Sequence, residues 1–311
     1  MTIGDLFLDE TRRLRTVWRL TIFIVSLLGL QVVIGIPVGI AVAVFLLVAG
    51  GVQGADALAG TLARSHVLLL CIAALPMAAG ALGLAWFCRR FLDRRSLSEL
   101  GLTRPERRLS ASIPAGLAAG AVPIVLMVVA LLALGRLEFA GSGASLFTAL
   151  LVPVFALVAF YEELLFRGYF LQNMLDIRRP VSGMILSSTV FCGMHMLNPG
   201  MWASPLNSLN IFLAGAALGL AYLLSRNLWF PTAMHFAWNT FQGPVFGLPV
   251  SGVAMDGLLR FERVDGAGAL LDGGGFGLEG SVLTLLVLVG MIALFAALIL
   301  RRHAAGLHGQ L

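Results

Sequence analysis

Charge is what this sequence has least of. Only 12% of its 311 residues are Asp, Glu, Lys or Arg, while 59% are hydrophobic; an ordinary soluble domain carries about a quarter charged residues. That balance, with a mean hydropathy of +0.94, excludes a soluble globular chain and places the protein in a bilayer. Lysine is absent altogether, and all 21 basic residues are arginine, a compositional bias that carries no chemistry of its own. The net charge of +5 comes with no nucleic-acid-binding module, so the basic excess suits anionic lipid rather than a nucleic-acid partner. Cysteine is scarce: Cys71, Cys88 and Cys192 lie in apolar segments without metal-ligand spacing and read as small, reduced, buried side chains. HExxH is missing, and no other compact zinc motif replaces it. No internal repeat and no separate soluble domain is visible, so residues 1–311 read as a single membrane domain.

What is there is a series of long apolar runs. A helical span needs about 20 apolar residues, and eight segments read as spans: 17–49 (with a kink expected at Pro37), 63–88, 111–135, 146–177, 180–198, 206–225, 228–250 and 281–300. The first is too long for a signal peptide and is expected to remain as a span. The loops test the count. With the N-terminus cytoplasmic, the inside segments hold Arg12, Arg13, Arg15, Arg19, seven arginines from Arg89 to Arg108, Arg178, Arg179, Arg226, Arg301 and Arg302. These sixteen stand against four outside, Arg64, Arg136, Arg260 and Arg263, a strong positive-inside bias. The expected fold is all-α: a polytopic integral membrane protein with about eight transmembrane helices around an intramembrane polar cavity, both termini cytoplasmic. The stretch 89–110 reads equally as a short interfacial helix or as a charged connector. The glycine-rich GAGALLDGGGFGLEG, 266–280, reads as flexible.

Ionisable side chains within spans cost at least about 2.5 kcal/mol each at the bilayer centre and point to function by default. Here they are Glu162, Glu163 and Arg167 in the fourth span, His195 in the fifth and His235 in the seventh, with Asn239 as an uncharged companion. Glu163 and Arg167, at i and i+4, stand in the favourable order for an ion pair, which suggests a structural role. Glu162 lies about 100° further round the helix and has Phe166, not a cation, at i+4. Such a carboxylate suits a general base or acid; the plainer alternative is a second partner for Arg167. His235 and Asn239 share one helical face, although an intramembrane histidine can also serve only to bridge helices. At 1.5 Å per residue, Glu162 and His195 lie about 24 Å from Arg178 and Arg179, and Asn239 and His235 about 20 and 14 Å from Arg226. All four can share one layer. Gly215 to Gly219, GAALG, adds a small-xxx-small face that would draw the helices together.

These residues resemble the motifs of the CAAX prenyl protease type II and bacteriocin-processing (CPBP, or ABI) intramembrane peptidases. EExxxR appears as EELLFR, Glu162 to Arg167; FxxxH as FCGMH, Phe191 to His195; HxxxN as HFAWN, His235 to Asn239. The likeness covers roughly residues 150–245, with no departure at a motif position. It implies an endopeptidase acting on membrane-associated or prenylated, CAAX-type protein substrates. Glu162 would activate water, His195 would orient it, and His235 and Asn239 would stabilise the oxyanion, with Glu163, Arg167 and Phe191 in support. The family was earlier classed as metallo-dependent, which keeps zinc on Glu162, His195 and His235 as a rival to a cofactor-free mechanism.

Other classes compete. A non-catalytic scaffold or bacteriocin self-immunity protein could keep the same fold. A proton-coupled transporter would need polar groups reaching both faces, and the outer halves of the spans are nearly bare. The expected setting is a bacterial inner membrane, with a peptide or lipidated protein as substrate and the cavity opening to the cytoplasm.

Overall fold

The computed structural model describes residues 6–50, 55–102, 109–143, 145–264 and 268–305. Arg104, Arg107, Arg108, Gly266 and the side chain of Arg64 lie outside the described residues. Eight helices carry the fold: α1 (Thr16–Gly50), α2 (Ala55–Phe87), α3 (Leu109–Ala133), α4 (Leu146–Glu163), α5 (Pro180–Met194), α6 (Pro205–Ser225), α7 (Trp229–Thr240) and α8 (Val282–Ala304). Strands β1 (Leu137–Ser142) and β2 (Leu259–Arg263) pair antiparallel, with a bulge between Phe139 and Gly141. Pro37 lies within α1 without ending it.

Among the described residues six helical stretches are long and apolar enough to cross a membrane, and the protein is a multi-pass integral membrane protein. Helices α5 and α7 are shorter. At 15 residues, α5 rises about 22 Å, against about 30 Å for a hydrocarbon core. It stops at Met194, with His195 as its cap, instead of running to 198. The chain turns there and restarts at Ser204, whose hydroxyl accepts the Leu206 N–H ahead of Pro205 in the first turn of α6. Helix α7, of 12 residues, continues as a π-helical turn over Phe241–Val245, short of the expected 250.

The helix begun by α4 does not end at Glu163. It widens to a π-helix over Leu164–Leu171 and returns to α over Gln172–Asp176. π-Bulges are frequent at functional sites, and this one begins directly after the two glutamates.

Small residues set the closest packing. A Cβ on Gly215 of α6 would come within 3.0 Å of Ser188 Cα on α5, so the small-residue face works as expected. A second such face, Gly116 and Gly120 of α3, lets that helix lie against the α7 backbone; a Cβ on Gly116 would come 2.5 Å from the Phe230 carbonyl oxygen.

The described parts of the two connectors, 89–102 and 268–280, are folded. After α2 the chain makes a π turn, Cys88–Leu92, then a 3₁₀ turn, Leu97–Leu100. A capping box of Ser96 and Glu99 starts the second turn, and Leu100 is fully buried. The glycine-rich loop expected to be flexible forms short turns over Ala269–Asp272, Gly274–Phe276 and Leu278–Gly280, with Phe276 and Leu278 buried. Its glycines supply the left-handed φ these turns need, +78° at Gly273 and +89° at Gly277.

Candidate active site

The motif residues meet at one cavity of about 680 Å³, whose lining includes Glu162, Phe191, His195, His235 and Asn239. Helix α4 brings Glu162, the end of α5 brings Phe191 and His195, and α7 brings His235 and Asn239 one turn apart.

Glu163 and Arg167 form the expected i, i+4 pair, with Arg167 Nη1 donating to Glu163 Oε1 at 2.8 Å, both side chains fully buried. The same oxygen has a second partner that helix periodicity does not reveal: His235 Nδ1, at 3.0 Å. Arg167 Nη2 donates to the Gly215 carbonyl at 2.9 Å, and its guanidinium lies 4.7 Å from the centroid of the Phe191 ring. Arg167 therefore ties α4 to α6 and braces α5, while Glu163 orients His235. Phe191 in turn packs against both histidine rings, at centroid separations of 4.6 Å to His195 and 6.2 Å to His235.

Hydrogen-bond partners distinguish the two histidines. His195 Nδ1 lies 2.8 Å from the Phe191 carbonyl. A carbonyl only accepts, so Nδ1 carries the proton and the neutral ring keeps a lone pair on Nε2. His235 Nδ1 likewise donates to the Glu163 carboxylate, and its Nε2 lies 3.9 Å from Glu162 Oε2. That Glu162 oxygen is buried and has no hydrogen-bond partner in the protein. Buried polar atoms are nearly always paired, and an unpaired carboxylate oxygen beside two histidines is suited to hold and deprotonate water.

Sequence reasoning missed Glu279. It sits in the last turn before α8, lines the cavity, and accepts the Ser251 N–H and a Gln242 Nε2 hydrogen bond on Oε2. Burial pushes its carboxyl up to about 7, against the downward pull of those hydrogen bonds. Asn210 also lines the cavity and donates to the Glu279 and Ser281 carbonyls. Neither stands out in sequence: Glu279 follows a run of glycines, and Asn210 reads as one scattered polar residue.

Among the described residues no group of three or more His, Cys, Asp or Glu is placed to hold a metal ion. Both histidines use Nδ1 for another partner, which leaves Nε2 as the ring atom free for chemistry.

The cavity's loop-borne lining, such as Asn198, Ser251 and Glu279, comes from the helix ends remote from the arginine clusters. The reason is the length of α5, which starts beside Arg179 and carries His195 about 22 Å away from it.

Residues 144–241 match the family described as Type II CAAX prenyl endopeptidase Rce1-like. Over this segment the chain is similar to that family. Every motif residue named above falls inside the Rce1-like segment, and the match supports an intramembrane endopeptidase of the CAAX type in general. No curated protein and no solved structure matches the chain. Helices α1 and α8, outside the Rce1-like segment, complete the cavity wall with Leu28, Gln31 and Thr284 among others.

Proposed function

We propose that this protein is an intramembrane endopeptidase of glutamic type, in which Glu162 is the general base and no metal takes part. The observation that carries the reading is the buried Glu162 Oε2, without a hydrogen bond, at a cavity shared with His195, His235 and Asn239. Water held between Glu162 and the free Nε2 of His195 gives a proton to the carboxylate while its oxygen attacks the scissile carbonyl carbon. The carbonyl π electrons move to oxygen, and the oxyanion accepts hydrogen bonds from Asn239 Nδ2 and from His235 Nε2–H when that ring is protonated. On collapse the C–N bond breaks, and the proton held by Glu162 passes to the leaving amine. Donors aimed at developing charge in a site with little water are the largest source of acceleration in such chemistry.

Glu163 and Arg167 act through others: Glu163 fixes the His235 ring, and Arg167 neutralises Glu163. The arginine bias supports cytoplasmic termini, and the proposed setting is a bacterial inner membrane. The substrate is a membrane-associated polypeptide. Purified wild-type protein is expected to cleave a membrane-tethered peptide, and Glu162→Ala to abolish cleavage with unfolding temperature unchanged. Full activity in Glu162→Ala would sink the assignment, and activity that disappears on chelation and returns with stoichiometric zinc would replace it by the metal mechanism.

A further inference from the structure

The cavity has a side and a door. The arginine-bearing connectors around residues 89–95, 178–179, 226 and 301–302 contribute none of its lining. They close the opposite end instead. Both carboxylate oxygens of Asp93 are taken up, by Arg19, Arg89, Tyr169 and Asn173. Arg95 pairs with Asp176 at 2.7 Å, Gln172 donates to the Glu99 carbonyl, and the Leu228 N–H donates to the Gly101 carbonyl. A chain entering from that face would have to break this tied layer.

The remote half has an opening in its wall. Helix α1 packs into the core through Leu20, Phe23, Leu27 and, further along, Val42, which are 7%, 0%, 1% and 3% exposed. A different face of the same helix carries Leu28, Val32 and Ile36, which line the cavity yet are 50%, 55% and 56% exposed. Facing outward with them are Gly193 and Leu197, at and beyond the end of α5, with Leu197 95% exposed. Residues that line a cavity and also face outward mark a slot in its wall. This slot lies in the half of the molecule remote from the arginines.

Of the charged residues only Glu162 and Glu279 line the space, and no arginine does. A free C-terminal carboxylate would find no permanent cation there, so an internal stretch of neutral or basic polypeptide is the better fit. Thirteen arginines among the described residues sit at the closed end and mark it as cytoplasmic.

We propose that the cavity is served from the non-cytoplasmic half of the bilayer, through the slot between the outer half of α1 and the end of α5. Its substrate is an internal polypeptide segment of a membrane-inserted or translocated protein, not a lipidated cytoplasmic tail. The substrate class rests on the peptidase reading above; the sidedness does not.

Two measurements keep these apart. In a background with Cys71, Cys88 and Cys192 replaced by Ala, Leu197→Cys and Ser98→Cys are each treated with a membrane-impermeant maleimide, in intact and in permeabilised bacterial cells. Leu197→Cys is expected to label fully in intact cells, and Ser98→Cys only after permeabilisation. Any other pattern overturns the sidedness, whatever the activity. Proteoliposomes of sorted orientation then receive a tethered internal-segment peptide on one face only. Cleavage confined to the face that labels Leu197→Cys supports the substrate class, and cleavage from the Ser98 face overturns it. Failure to cleave from either face, with Leu197→Cys labelled from outside, sinks the peptidase reading and the substrate class with it, and leaves the sidedness standing.

Discussion

The long helix that starts at Leu146 touches two buried ionic clusters, one built on its own glutamates and one on Asp93 of the connector after α2, and they are finished differently. Ten residues beyond Glu163, around Asn173, the Asp93 cluster is complete on its acidic side: each carboxylate oxygen accepts two hydrogen bonds, at 3.0 and 3.3 Å. Around the motif glutamates, Glu162 Oε2, Glu163 Oε2 and Arg167 Nε have no hydrogen-bond partner in the protein. Burying an unpaired polar atom costs about 1–3 kcal/mol, more when it is charged. A fold that saturates one carboxylate, Asp93 in the connector after α2, and leaves another open at Glu162 is not short of donors. The difference teaches which cluster holds the molecule together and which is available to react.

The comparison can be broken by mutation. Glu162→Gln is expected to lower the cleavage rate by about 10²–10⁴ with little change in thermal unfolding; a rate within a few-fold of wild type would make the open carboxylate a mere packing defect. Asp93→Ala should do the reverse. It strands Arg19 and Arg89 and is expected to cost about 3–5 kcal/mol in stability, read as lower yield and earlier unfolding in detergent, while the protein that stays folded keeps its rate. Asn239→Ala is expected to slow cleavage by about 10²–10³ if its amide donates to the oxyanion, with substrate binding unchanged; a loss confined to KM would move Asn239 out of that role.

The smallest effect concerns the third carboxylate, Glu279. Its pKa is raised from 4.5 to about 7, so the folded state holds a proton that the unfolded chain releases. The stability it contributes is present below about 4.5 and is lost as pH rises through about 7. Glu279→Gln should flatten that part of the stability profile, and an unchanged profile would show that the group does not titrate there.

Much of the site was legible because polarity stands out in an apolar chain. Glu162, His195, His235 and Asn239 were found that way, and their common layer followed from helix rise alone. Helix periodicity gave the Glu163–Arg167 pair but not the bond from His235, which comes from 72 residues away. Asp93 was hidden for the opposite reason: among arginines in a connector it looks like an ordinary solvated charge, and only tertiary contact reveals a hub. Gly116 and Gly120 carry a small-xxx-small spacing as plain as that of Gly215 and Gly219, but their partner α7 could not be read from pattern. The eight helices were visible in outline. What hydropathy overestimated was the reach of α5 and α7, because apolar residues continue past the turns that end them.

The shortness of α5 has a consequence beyond the placing of His195. A helix of about 22 Å in a hydrocarbon layer of about 30 Å is a case of hydrophobic mismatch, and a bilayer adapts to such a helix by thinning around it. Lipid headgroups and their hydration would then dip towards the end of α5 on the side where the slot lies. The reaction proposed here consumes one water per bond cleaved, inside a protein that is 59% hydrophobic. A local dimple in the membrane would carry the aqueous surface most of the way to Glu162.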